Sequence, residues 1–147
     1  MALARSILQN SALLADLAQK SGGIATFIMA LLMVLSGLRW VLIDFSRNES
    51  LPNVNYRVLE KIHFILGLMI FILVTYHSIY YFFTYLVEHT ENSLVVTTGL
   101  GAYICLLVIL HLGLKLRRKI SASKDYHLHI LLLIVLILFI LLHLNFS

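Results

Sequence analysis

The chain has 147 residues, 61% of them apolar and only 12% charged, with one proline, one cysteine and a net charge of +4. That balance excludes an ordinary soluble domain, and no nucleic-acid partner is expected. No glycine-rich nucleotide loop follows a strand pattern, so nicotinamide or flavin chemistry would have to come from another polypeptide.

In chain order, residues 1–21 place Leu3, Ile7, Leu8, Leu13, Leu14 and Leu17 among Arg5, Gln9, Asn10 and Asp16. With no compact apolar core this is not a cleaved leader. It reads as a short amphipathic helix at the interface or against a partner, broken from the first span by Ser21-Gly22-Gly23. Four apolar stretches come next, at about Ile24–Phe45, Val58–Val87, Leu94–Leu114 and Tyr126–Phe146. Each is long enough for a bilayer, which needs about 20 residues per helix. The expected fold is all-α, an integral membrane four-helix bundle. Residues 1–21 form the interfacial segment and 22–147 the transmembrane domain, with no room for a soluble catalytic domain.

Charge gives an orientation. Of eleven basic residues, eight lie in or beside the first and third loops: Arg47, Arg57, Lys61, Lys115, Arg117, Arg118, Lys119 and Lys124. The second loop has Glu88 and Glu91 and no basic residue. The positive-inside rule puts loops one and three on the cytoplasmic side and both termini opposite, so the second and fourth spans run parallel. Tyr76, Tyr80, Tyr81, Phe82, Phe83 and Tyr85 read as an interfacial aromatic belt. The run Lys115 to Lys124 serves topology and anionic-lipid contact, or docks an acidic electron donor.

Histidines carry the chemistry. His63 and His77 are fourteen residues apart on the second span, and His129 and His143 fourteen apart on the fourth. That spacing is nearly four helical turns, so each pair keeps almost one face, about 40° apart in rotation and roughly 21 Å along the axis. In the parallel orientation His63 is level with His129, and His77 with His143. Histidine within a span is costly unless paired or liganded. Four at matched depths suit two haems held by axial imidazoles, the alternative being interhelical hydrogen bonds. Covalent c-type attachment is excluded for want of Cys-x-x-Cys-His, and Cys105 reads as a small apolar residue.

The remaining histidines contrast with these. His89 lies in a loop. His127 is about 160° around the helix from His143. His111 on the third span is an alternative ligand, or a propionate, quinone or ligand-supporting contact. Gly37, fourteen after Gly23, and Gly99 and Gly113, also fourteen apart, together with Gly67 one turn after His63, would give a flat macrocycle clearance or serve ordinary helix packing. Arg39, a charge within the first span, would pair with a haem propionate, with Asp44, or snorkel to the interface.

At these residues the chain resembles the ferric reductase transmembrane domain. The likeness spans about Leu35 to His143. It runs through Leu35-Ser36-Gly37-Leu38-Arg39, His63-Phe64-Ile65-Leu66-Gly67 and His77, then Thr98-Gly99-Leu100, Arg117-Arg118, Tyr126-His127-Leu128-His129 and His143. The resemblance implies two non-covalent b haems, His63 and His129 on the inner iron, His77 and His143 on the outer. The four-helix core of cytochrome b from bc complexes is similar too, although its Pro-Glu-Trp-Tyr motif is absent. Relatives usually have six spans and a fused flavin and nicotinamide domain, which are missing here.

The resulting expectation is an electron-transfer subunit, a di-haem b-type cytochrome, with membrane lipid, electron donor and acceptor proteins or quinone, and other subunits of a membrane complex as partners. The alternatives are a quinone-reactive cytochrome anchoring a dehydrogenase or reductase, and a haem-free structural subunit.

Overall fold

A computed structural model describes the backbone of residues 2–45, 51–88, 93–118 and 123–146, and the side chains of 11–38, 58–87, 93–118 and 124–146. The fold is all-α: α1 (Ala2–Phe45), α2 (Leu51–Glu88), α3 (Ser93–Arg117) and α4 (Ser123–Phe146), with no strand among the described residues. All four helices are long and apolar enough to cross a membrane, over Ser11–Leu38, Val58–Val87, Ser93–Arg117 and Lys124–Phe146.

Lipid is the solvent these surfaces require. Among the described residues, 37 large apolar side chains are exposed, Val87 at 77% and Phe27 at 71% among them. Leaving each such side chain in water forfeits about 1.5–3 kcal/mol of burial energy. A folded domain holds only about 5–15 kcal/mol in total, so water cannot be the solvent. The chain is an integral membrane protein.

Contacts divide the chain inside α2, into Met1–Val74 and Thr75–Ser147. In the first unit, α1 continues without interruption from Ala2 to Phe45. The expected break at Ser21-Gly22-Gly23 does not occur, and residues 1–21 do not form a separate helix. Two glycines cost a helix only about 1 kcal/mol each, and an apolar medium penalises every backbone group left unpaired far more. Buried Ser21 supports the helix by donating from Oγ to the Ala18 carbonyl at 2.7 Å, and Thr26 donates to the Gly22 carbonyl at 3.0 Å. Within the described residues the apolar stretch of α1 covers Ser11–Leu38, on both sides of the glycines. Its two charges, Asp16 and Lys20, neutralise each other one turn apart at 2.7 Å.

The second unit holds the end of α2 with α3 and α4. α3 packs along α4 in antiparallel register, since Gly99 meets His143 while Gly113 meets His129. The α3 face in this contact is Val95, Gly99, Ala102, Leu106, Ile109 and Gly113, spaced by three and four residues, as one helix face must be. Leu106 on α3 and Leu136 on α4 are buried, with 8% and 4% exposed. Among these glycines the tightest is Gly101, beside that face, where a Cβ would stand 2.7 Å from Cε1 of Phe139. Lys115 and Asp125, 3.9 Å apart, join the end of α3 to the start of α4. The cation at a helix C-terminus and the anion at an N-terminus also suit the two helix dipoles.

Candidate functional site

In the second unit the outer histidines come together. The rings of His77 on α2 and His143 on α4 have centroids 6.1 Å apart and planes at 84°. Two imidazoles sharing a direct hydrogen bond of about 2.9 Å between nitrogens have centres about 5.2 Å apart, taking a ring radius of roughly 1.15 Å. Two imidazoles bound to opposite sides of one metal ion, each about 2.0 Å away, have centres about 6.3 Å apart. The observed 6.1 Å is longer than the direct hydrogen bond would give.

His143 is also oriented. Its Nδ1 lies 3.0 Å from the carbonyl oxygen of Val95 on α3. A carbonyl only accepts, so Nδ1 carries the proton and Nε2 keeps its lone pair. A metal-ligating histidine commonly gives its second nitrogen to a carbonyl in this way. His77 packs against Tyr81, one turn along its own helix, at 4.8 Å. Thr75 and Tyr103 hydrogen-bond at 3.2 Å, tying α2 to α3 half a turn before His77.

His129, the other α4 histidine, faces the backbone of Ile109, and its Nδ1 is buried. Ile109 lies fourteen residues after Val95, so the two α4 histidines face the α3 backbone at two depths. In the first unit, half-buried His63 has its Nδ1 3.3 Å from Ser36 Oγ on α1. Leu35, Ser36, Leu59 and His63 line a small cleft there.

Gly99 and Gly113 both face histidine rings of α4. A Cβ on Gly99 would stand 3.3 Å from Cε1 and Nδ1 of His143, and one on Gly113 3.6 Å from Cε1 of His129. These glycines admit the histidine rings themselves. At Gly37 and Gly67 an added Cβ would meet nothing within 4 Å among the described residues.

His111 does not join this set. It lies on α3 about 160° around the axis from the face that meets α4, and it is exposed. His127 is exposed at the start of α4, and half-buried Cys105 contacts no other candidate. His89 and the side chains of Arg39 and Asp44 lie outside the described residues. Sequence reasoning missed Gly101, Tyr103 and the pairing role of Ser36. The Gly99-Leu100-Gly101 doublet was a legible signal for the first, whereas the other two depend on partners 27 and 28 residues away.

Among the described residues no group of three or more histidine, cysteine or acidic side chains converges. Pairs of histidines suit a metal that brings its own equatorial ligands, as haem iron does. Comparisons with protein-family profiles, curated proteins and solved structures give no match to the chain.

Proposed function

We propose that this protein is a di-haem b-type cytochrome that relays electrons across a membrane as a subunit of a larger oxidoreductase. The observation that carries the reading is the His77–His143 pair, 6.1 Å between ring centres, on helices where each histidine recurs fourteen residues away. His77 and His143 would hold one haem, His63 and His129 the other. Bound haem supplies a one-electron ferric/ferrous couple. The chain's residues do the rest: His143, oriented by Val95, presents Nε2, and the apolar helices exclude water and set a low dielectric around the iron. Held by two histidines, each haem would supply outer-sphere electron transfer rather than direct oxygen binding.

The basic residues beside the first and third loops put those loops on the cytoplasmic side under the positive-inside rule. The pair His63 and His129 would then sit nearer that face. Electron donor and acceptor are a partner protein, a quinone, or one of each.

The test is a dithionite-reduced minus oxidised visible spectrum of the purified chain, with extracted haem measured per polypeptide. Two b haems per chain are expected. A colourless, folded preparation made with ample haem would overturn the reading in favour of a structural subunit.

A further inference from the structure

The seam between α3 and α4 repeats at both of its ends. On α3, Val95, Ala102 and Ile109 recur every seven residues, and Gly99, Leu106 and Gly113 do so four residues later. On α4, His129, Leu136 and His143 keep the same interval. His143 therefore meets the Val95 carbonyl and Gly99 one turn further along, and His129 faces Ile109 and Gly113 in the same order, with buried leucines between.

Helix geometry explains the pairing of carbonyl and glycine. Each Cα–Cβ bond leans toward the helix N-terminus, so a side chain covers the turn that precedes it. The side chain at position 99 would cover the carbonyl of Val95, and that at 113 the carbonyl of Ile109. Glycine leaves both uncovered. A carbonyl has two lone pairs: at Val95 one accepts the helical N–H four residues on, and the other side of the oxygen is shared by Thr98 Oγ1 at 3.0 Å and the His143 imidazole at 3.0 Å.

We propose that Gly99 is a positioning residue for His143, exposing the Val95 carbonyl so that the imidazole is held with its proton on Nδ1 and Nε2 presented to iron. Gly113 faces His129 with more room, 3.6 Å against 3.3 Å, an ordinary contact distance, so the proposal concerns Gly99. The consequence for iron rests on the di-haem reading, whereas the hydrogen bond does not. Donation from Nδ1–H to a carbonyl makes Nε2 more basic, which favours ferric iron and lowers the potential of the haem that His143 holds.

The experiment has two arms. In the first, the haem-free chain, labelled with 15N-histidine in detergent micelles, is examined by NMR as wild type, Gly99→Ala and Gly101→Ala. His143 is expected as the Nδ1–H tautomer in the wild type and in Gly101→Ala, which disturbs Phe139 instead. In Gly99→Ala, where the added methyl meets the ring at 3.3 Å, that preference is expected to be lost. An Nε2–H tautomer in the wild type, a measurement that needs no variant, would overturn the proposal. So would an unchanged Nδ1–H tautomer in Gly99→Ala.

In the second arm, the haem-loaded proteins are titrated potentiometrically. One of two midpoint potentials is expected to rise in Gly99→Ala while the other stays, and neither is expected to move in Gly101→Ala. Equal potentials in Gly99→Ala and wild type would defeat the inference while leaving the di-haem reading intact. Absence of haem from the wild type would defeat that reading and leave the tautomer measurement to judge this one.

Discussion

His77 and His143 stand with their ring centres 6.1 Å apart and their planes nearly perpendicular, and Val95 holds the second of them by its Nδ1. If one iron joins these rings, removing either must lose the same haem. His77→Leu and His143→Leu are each expected to lower haem content from two per chain to one. The double variant should lose no more than either single one. Pyridine haemochrome assay of the three proteins checks this, and two haems retained in either single variant would break the assignment.

The same geometry separates His111 from the ligands. It lies on the far side of α3 from α4 and is exposed. His111→Leu is expected to keep two haems per chain with an unchanged reduced spectrum. Loss of a haem from this variant would move His111 into the ligand set.

At Gly101 an added Cβ would stand 2.7 Å from Cε1 and 3.0 Å from Cδ1 and Cζ of the Phe139 ring, tighter than at the other glycines. Gly101→Ala forces the ring aside and is expected to destabilise by about 1–3 kcal/mol, the usual range for overpacking. Shortening the partner with Phe139→Leu should recover much of that loss in the double variant. Denaturant titration in mixed micelles measures both, and additive losses would show that the contact is not the cause.

The unbroken α1 makes a distance prediction. Spin labels at exposed Leu14 and Val34, in a chain with Cys105 replaced by Ser, flank Ser21-Gly22-Gly23. Twenty residues of straight helix separate them by about 30 Å. Pulsed electron–electron double resonance should return one narrow distribution near that value. A markedly shorter or bimodal distribution would restore the break.

Much of this was legible because membrane helices write their signal locally. Runs such as Val58–Val87 contain the length and apolarity that spanning requires, and they lie within a helix long and apolar enough to cross a membrane. Fourteen-residue spacing on a helix likewise specifies that His129 and His143 share a face whatever else the chain does. At Ser21-Gly22-Gly23 the local rule failed, because glycine's helix cost is smaller than that of an unpaired amide in an apolar medium. That Gly99 and Gly113 face the His143 and His129 rings was not legible, because it depends on how α3 and α4 are set against each other.

By itself, then, the sequence determined four apolar helices, their order, and two histidine pairs at matched spacing, all properties of residues within a single helix. Only the tertiary structure decided that α1 runs through its glycines, that His111 faces away from α4, and that Val95 and Gly99 receive His143 while Ile109 and Gly113 receive His129. Those facts depend on the rotation and antiparallel register of one helix against another. Register is set by side-chain packing at the seam, Gly101 against Phe139 among it, a relation between residues far apart in the chain that no single segment contains.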